Sequence, residues 1–482
     1  MGNWNTPVYS AIRSYTEKTP VPFHMPGHKL GKGIPKIFLS DIEKLDLTEI
    51  PGMDNLHAPA GALKKAQELA AEAFGASRSY FLVNGSTVGL HAAISAVCRP
   101  GDHLVTGRDS HSAVINGMLL RGVYPAYILP EYSTEFGINT GITPQAVEKA
   151  LFDVPDAVGV LITRPSYYGI CSDIKRISEI VHKHNKILIV DEAHGAHLSF
   201  HPALPCGALE AGADLVVQSA HKTLPAFTQG AYLHIGSDRI DRERLEYFLD
   251  MYQTTSPSYV IMAYLDIARE LMQKNGRRML DELLSSIRSS LAGLDNNGVR
   301  LLDCNVFTGF GLDCTRITAN TASIGMTGYT AEKLLRESCG IQVEMSDLFN
   351  IVCIATVADD AESITKLSSA LSWLGMKGDP GRKAEFDSVI AKSAEIRGIK
   401  RPVQAISPSE LLEADIDRIP FKDAAGRTSR GTISPYPPGL PLVCPGEVIN
   451  GDVVDYIMTL LRSGGSVHGI GEDGTIAVVR RK

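Results

Sequence analysis

The chain has 482 residues, a formal net charge of −7 and 44% hydrophobic residues. This length suffices for two or three domains with a large core. The acidic balance and the lack of a long basic block exclude nucleic acid and anionic membranes as expected main partners. Eight scattered cysteines lack zinc-ligand or redox spacing, and we find neither a membrane-spanning apolar run nor a secretory signal. We therefore expect a cytoplasmic protein with reduced thiols and no metal ion.

Proline and glycine are frequent in residues 1–40, which predicts an extended N-terminal arm. From about residue 60, helical patterns alternate with short apolar runs. The predicted helices cover 61–74 and 87–97, and the predicted strands cover 80–83, 103–105, 158–162, 187–190 and 215–217. This alternation predicts an α/β fold with a mostly parallel sheet covered on both faces, and such sheets bind ligands at the carboxyl ends of their strands.

The later part of the chain divides into smaller units. An amphipathic segment over 259–294 leads out of the sheet domain. We expect a large domain over 41–265, a small α/β region with a linker over 266–402, and a C-terminal domain over 403–482. Three prolines within 435–438 fix φ and predict a rigid loop. The charged stretch over 376–402 fits either a helix or a linker.

Two polar residues of complementary chemistry follow apolar runs. Asp191 ends the run 187–190, and Lys222 closely follows 215–217, with one helix-length segment between them. Pyridoxal phosphate needs a lysine amine that forms a Schiff base with its aldehyde, and a carboxylate that keeps its ring nitrogen protonated. Together the two residues predict a pyridoxal-phosphate site, although Lys222 alone would be interpreted as a surface charge.

Two further stretches fit that cofactor. Residues 84–87 lie between a predicted strand and a predicted helix, where free N–H groups and the hydroxyls of Ser86 and Thr87 can bind a phosphate. A simple helix cap is the alternative. His111 follows the strand 103–105 and can stack on a flat ring, and a solvent or core role is its alternative.

The chain resembles the ornithine/lysine/arginine decarboxylases, a family of fold type I pyridoxal-phosphate enzymes, in motifs spread over its length. These motifs are His24-Met25-Pro26-Gly27-His28-Lys29, Leu56-His57-Ala58-Pro59, Asn84-Gly85-Ser86-Thr87, Asp191-Glu192-Ala193-His194-Gly195, Gln218-Ser219-Ala220-His221-Lys222, and Pro435-Tyr436-Pro437-Pro438-Gly439 continuing to Pro445-Gly446-Glu447. The resemblance implies a fold type I large domain followed by smaller α+β domains.

The resemblance also implies roles for individual residues. Lys222 would hold the cofactor, Asp191 would pair with the ring nitrogen, and His111 would stack on the ring. Ala193 would pack beneath the ring, with His194 close by. The phosphate would be held by residues from two loops, namely Gly85, Ser86, Thr87, Ser219 and His221.

The activity implied is decarboxylation of a basic amino acid in polyamine biosynthesis, with L-arginine as first choice and agmatine as product. Lysine and ornithine are alternative substrates. An α-oxoamine synthase-like acyltransferase is a second alternative, but such enzymes usually place glycines after the lysine, where this chain has Thr223-Leu224-Pro225. A catalytically silent relative that binds polyamines or a partner enzyme is a third, and the presence of Lys222 disfavours it.

Glu447 is the candidate for recognising the basic end of the substrate. A buried cation requires a carboxylate, and a proline-rich loop would hold Glu447 firmly. The alternative is an acid at the start of a helix that contains Val453 and Ile457. Because fold type I sites lie between subunits, the resemblance implies a homodimer or higher homo-oligomer, with the motif at 24–28 reaching across to the neighbouring subunit.

Overall fold

The computed structural model describes residues 5–18, 20–294, 298–303, 307–398, 403–436, 441–462 and 465–481. Its largest element is a seven-stranded sheet. We number these strands β1 to β7 in chain order: Arg78–Leu82, His103–Gly107, Tyr124–Ile128, Gly159–Thr163, Ile187–Asp191, Leu215–Gln218 and Ala231–Ile235. The spatial order is β1-β7-β6-β5-β4-β2-β3, and only β7 runs antiparallel to its neighbours. The predicted mostly parallel sheet is confirmed.

The apolar runs form strands because both faces of the sheet are buried. Successive side chains of a strand point to opposite faces. Those of the central strands alternate between two cores, with Val160, Val190 and Val216 in one and Leu161, Ile189 and Val217 in the other. The surrounding helices are Ala62–Phe74, Gly85–Val97, Ser112–Arg121, Pro144–Asp153, Ile174–Lys183 and Arg242–Tyr252.

A 33-residue helix, Tyr259–Leu291, leads from the large sheet to a smaller one. The predicted domain boundary at residue 265 falls inside this continuous helix. The smaller sheet is antiparallel and contains Arg300–Leu301, Arg316–Asn320, Asn350–Ile354 and Met345–Ser346 in that spatial order. The helices Gly328–Cys339 and Ala361–Lys377 accompany it.

The C-terminal region has its own core, which includes Phe421, Ile457 and Val478. The helix Lys383–Gly398 precedes it, and Phe386 of that helix packs in one cluster with Phe349 and Tyr456. The helices of the region itself are Pro408–Glu413 and Gly451–Arg462. Its strands pair as Ile416–Pro420 with Thr475–Val479, and Ser434–Tyr436 with Ser466–His468. The prediction of a rigid loop at the proline motif is therefore wrong for its first residues, which form a strand, and 437–440 lie outside the described residues.

One other sequence expectation needs correction, and one segment of helix length forms no helix. The N-terminal arm is not extended throughout, because Pro7–Glu17 forms a helix with proline at its first position. No α-helix lies between Asp191 and Leu215, where the structure describes every residue and has only a 3₁₀ turn, Leu198–Phe200. Prolines and glycines at 195, 202, 205, 207 and 212 oppose a helix there.

The motif at 24–28 packs within its own chain. Gly27 N donates a hydrogen bond to His221 O at 2.7 Å. A Cβ atom at Gly27 would lie 2.6 Å from Leu224 O, so this close approach requires glycine. The strand Val21–Phe23 just before the motif pairs with Ile341–Val343. The expectation that the motif also reaches a neighbouring subunit stays a prediction. Of the helices that the structure describes, none is long and apolar enough to cross a bilayer.

Candidate active site

A cavity opens at the carboxyl ends of the parallel strands, where the fold predicts a ligand. Six of the residues expected to contact the cofactor line it: Ser86, His111, Asp191, Ala193, His194 and Lys222. The other four border this group. Gly85 and Thr87 belong to the same helix start as Ser86, and Ser219 and His221 precede Lys222 on the loop after β6.

Asp191 is the last residue of β5, and its side chain is 3% exposed. Its Oδ1 accepts a hydrogen bond from Ala193 N at 3.2 Å. Burial raises the pKa of Asp191, while the charges of Lys222 and His111 act in the opposite direction. No ion pair to Asp191 is found among the described residues, so this desolvated carboxylate suits a cationic ring nitrogen.

Lys222 lies on a single helical turn, Ala220–Thr223, directly after β6. Its Nζ is 3.1 Å from His194 Nε2 and 5.8 Å from the centre of the Tyr167 ring. Burial lowers the pKa of Lys222 to about 8, although the charge of Asp191 opposes this shift. A lowered pKa makes more of the neutral amine available, and the neutral amine is the form that attacks an aldehyde.

The start of the helix Gly85–Val97 is open to an anion. Asn84 precedes it but makes no side-chain cap, since its Oδ1 accepts from Thr254 N at 3.0 Å. Ser219 Oγ donates to Ser86 Oγ at 2.8 Å and so joins the two loops expected to hold phosphate. Thr87 is exposed. These contacts leave first-turn N–H groups available, which favours an anion site over a simple cap.

Two of the three histidines expected near the cofactor, His111 and His221, are held by the backbone. His111 begins the helix Ser112–Arg121, and its Nδ1 accepts from Ala113 N at 3.2 Å. Burial lowers the pKa of His111, partly offset by Asp191. His221 Nδ1 lies 2.9 Å from Gly230 O and can only donate to it, and burial lowers the pKa of His221 to about 4.

Glu447 does not line this cavity. Its two carboxylate oxygens bind Arg108 Nη1 and Nη2 at 2.5 and 2.6 Å, and Oε2 also accepts from Cys444 N. The helix of the alternative interpretation begins only at Gly451. We therefore favour a third interpretation of Glu447, a buried ion pair with Arg108, over substrate recognition, which stays a prediction.

The sequence analysis did not identify several residues of the cavity, namely Leu90, Asp109, Asn139, Thr163, Ser166, Tyr167 and Tyr168. Thr163 ends β4, so the rule that ligands bind at strand ends would have found it. The hydroxyl of Thr163 is buried and has no hydrogen-bond partner within the described part of the chain. Arg316, which contacts His194, comes from the smaller sheet, and no local pattern marks it.

These observations test whether pyridoxal phosphate fits the residues present. The desolvated carboxylate of Asp191 matches the ring nitrogen, and Lys222, with its lowered pKa, matches the aldehyde. The open helix start at Gly85 matches the phosphate. The buried hydroxyl of Thr163 can bond another polar atom of the cofactor. Ala193, whose side chain is a single methyl group, lines the cavity together with Asp191. The cofactor therefore fits. In the described ranges, no cluster of three or more metal-ligating side chains occurs.

Comparison with known proteins agrees with this chemistry. Residues 6–311 match the family model of the Orn/Lys/Arg decarboxylase major domain, and residues 393–473 match the model of its C-terminal domain. The chain is 36% identical to an arginine decarboxylase of Bacillus subtilis over 488 residues, covering 100% of this chain and 98% of that protein. It is 37% identical to an arginine decarboxylase of Halalkalibacterium halodurans, covering 98% of this chain and 97% of that protein.

Solved structures show the same fold. Lysine decarboxylase A from Pseudomonas aeruginosa superposes with a TM-score of 0.79 at 20% identity, covering 100% of this chain and 78% of that one. A structure described as SPT with PLP superposes over 74% of this chain and 88% of its own, with a TM-score of 0.58 at 16% identity. The fold type I expectation is confirmed, and the chain belongs to the Orn/Lys/Arg decarboxylase family.

Proposed function

We propose that this chain is a pyridoxal-phosphate-dependent decarboxylase that converts L-arginine to agmatine and carbon dioxide. The observation that carries the proposal is that Asp191 and Lys222 border one cavity from the ends of the adjacent strands β5 and β6. Full-length relatives that are named arginine decarboxylases support arginine over lysine or ornithine as the substrate.

Pyridoxal phosphate, when bound, supplies an electron sink for the electron pair that remains on Cα as carbon dioxide leaves. Lys222 contributes the amine that attaches the cofactor. Asp191 holds a proton at the ring nitrogen, since a buried carboxylate is stabilised by a cation beside it. The start of the helix Gly85–Val97 binds the phosphate and so fixes the ring relative to both residues.

The remaining cavity residues orient the reacting groups and exclude water. His111 and Ala193 both line the cavity, where His111 would stack on the ring and Ala193 would pack beneath it. After carbon dioxide departs, Cα needs a proton. Lys222 or a nearby acid would return it, and the nearest titratable neighbour of Lys222 Nζ is His194 Nε2, 3.1 Å away.

The experiment is to supply the purified protein and pyridoxal phosphate with L-arginine, L-lysine and L-ornithine, and to identify the amine by mass spectrometry. We expect agmatine and an equal amount of carbon dioxide, with the highest kcat/KM for arginine. Lys222→Ala is the control for background reaction and should form no amine. Formation of cadaverine or putrescine at a higher kcat/KM would assign another substrate, and failure with all three would overturn the proposal.

We also propose a homodimer or higher homo-oligomer. Large apolar side chains are exposed in the N-terminal part of the chain, notably Val8, Tyr9, Ile12 and Ile37. Such a concentration of exposed apolar surface is typical of an interface. Thr87, at the proposed phosphate site, is also exposed. A residue that a second subunit covers is exposed in this way when one chain is considered alone. Sedimentation should give at least twice the 52.0 kDa of one chain, and an active monomer would contradict this proposal.

A further inference from the structure

A chain of three side chains leads from the smaller sheet to the lysine of the candidate active site. Arg316 begins the strand Arg316–Asn320 and is 1% exposed. Its Nη2 is 2.6 Å from His194 Nδ1. On the other side of the imidazole, His194 Nε2 is 3.1 Å from Lys222 Nζ. The histidine therefore has one cationic and one titratable neighbour.

The positions of the protons on Arg316, His194 and Lys222 follow from which of their nitrogens can only donate a hydrogen bond. A guanidinium has no acceptor, so Arg316 must donate to His194 Nδ1, which then holds a lone pair. A histidine with a bare Nδ1 is neutral and has its proton on Nε2. That Nε2–H points to Lys222 Nζ, and an ammonium group cannot accept it. Both contacts are satisfied together only when Lys222 is a neutral amine.

We infer that Arg316 is a positioning residue that fixes the tautomer of His194, so that His194 Nε2–H donates to the neutral amine of Lys222. Protonation of Lys222 would force His194 to give up one of its two hydrogen bonds. The pair Arg316 and His194 thus keeps Lys222 in its nucleophilic form. That the amine of Lys222 attaches a cofactor rests on the proposed function. The tautomer of His194 does not depend on it.

The environment of Arg316 supports a positional role. Its Nε and Nη1 atoms are buried and have no hydrogen-bond partner among the residues described, so its burial costs free energy. Burial, with contributions from Lys222 and Arg316, lowers the pKa of His194 well below its ordinary value, which agrees with a neutral imidazole. The charged groups around Lys222 are Asp191 and Glu344, which raise its pKa, and Arg316, which lowers it.

The test measures the protonation of Lys222 directly. Full-length, cofactor-stripped protein is labelled with trace acetic anhydride across a pH series, and acetylation of the Lys222 peptide is quantified. We expect Arg316→Met to raise the midpoint for Lys222 by about one pH unit, which corresponds to a tenfold change in the preference between protonation states. Arg316→Lys keeps a donor and should stay near the parent midpoint. Arg269→Met removes another buried arginine, on the helix Tyr259–Leu291, and should leave the midpoint unchanged.

A double-mutant cycle separates action through His194 from a direct effect of charge. If Arg316 acts through the imidazole, Arg316→Met adds little to the shift produced by His194→Ala. Additive shifts would assign the effect to the charge of Arg316 and would overturn the inference. An unchanged midpoint in Arg316→Met would overturn it as well.

A second measurement needs no variant of Arg316. The parent protein is labelled with ¹⁵N in its histidine rings, and the His194 signals are identified by their loss in His194→Ala. We expect a neutral ring with its proton on Nε2, and a proton on Nδ1 would contradict the inference. Neither measurement uses substrate, so failure of the arginine assay would not affect the result for His194. Equally, failure of the inference about His194 would not affect the arginine assay.

Discussion

Arg108 and Glu447 form a buried bidentate ion pair that joins the C-terminal region to the loop that leads to His111. The two nitrogen–oxygen distances are 2.5 and 2.6 Å, and the guanidinium carbon lies 4.7 Å from the centre of the Tyr127 ring. Arg108 also donates to Leu442 O at 3.1 Å. Glu447 therefore stabilises the packing of the C-terminal region against this loop, a role that the proline-rich motif alone did not predict.

Glu447→Gln should destabilise the fold without weakening substrate binding. Removal of one partner from a buried ion pair typically costs about 3–5 kcal/mol, because the remaining charge is left uncompensated. Urea unfolding should show this loss, while KM for L-arginine changes little in the folded fraction. Glu282→Gln is the control, since its pair with Arg278 is 65% exposed and such surface pairs are worth about 0–1 kcal/mol. A raised KM with unchanged stability would return Glu447 to substrate recognition.

Asp191→Asn should remove most turnover while the cofactor still binds. We expect kcat to fall about a hundredfold or more, as when one preorganised electrostatic contact to a developing charge is lost. Asp214→Asn is a matched control, because Asp214 is equally buried but lies before β6, at the opposite end of that strand from Lys222. Turnover is compared per folded molecule, with the visible absorption of the bound cofactor as the measure of binding.

The same variant has a predicted effect on Lys222. The charge of Asp191 favours the ammonium form, so it raises the pKa of Lys222 against the lowering by burial. Its neutralisation in Asp191→Asn should therefore lower the labelling midpoint of Lys222 below the parent value near 8. This direction is opposite to that expected for Arg316→Met. A normal kcat, or an upward shift of the midpoint, would contradict the role of Asp191.

The stability of the fold should fall in acid partly because of His234. This residue lies in β7, where Ser79 Oγ and Gln218 Oε1 contact its ring nitrogens, and burial lowers its pKa from 6.5 to about 3. Between these two values the unfolded chain binds a proton that the folded chain does not, so the free energy of unfolding decreases as the pH falls.

His234→Gln should consequently flatten the decline of stability between pH 6.5 and the acid limit of the fold. Urea midpoints across a pH series measure this slope. His468→Gln, at an exposed position, is the control and should leave the slope unchanged. The same slope in His234→Gln and in the parent would show that His234 is not the source.

The sequence predicted the large sheet well because its signals are local. An apolar run followed by a polar residue marks the end of a buried strand, and this pattern alone located both Asp191 and Lys222. The parallel arrangement then required the two strand ends to lie at one edge of the sheet. The segment between them is long enough for a helix but forms none, since its glycines and prolines oppose one.

Contacts between distant segments were beyond such reasoning. Arg316 reaches His194 across 122 positions of the chain, and Glu447 reaches Arg108 across 339. Neither partner can be inferred from spacing or periodicity, because both pairings depend on how separate regions dock. The motif at 24–28 is a further example. Gly27 is required there because the backbone at Leu224 approaches it closely, and this contact could not be predicted from the motif itself.

The most direct test of the central claim is to find the lysine that attaches the cofactor. The protein is loaded with pyridoxal phosphate, reduced with borohydride and digested, and the modified peptide is sequenced by mass spectrometry. We predict one stoichiometric modification, at Lys222, which is absent from Lys222→Ala. Modification of a different lysine in the parent protein, or of none, would contradict the account.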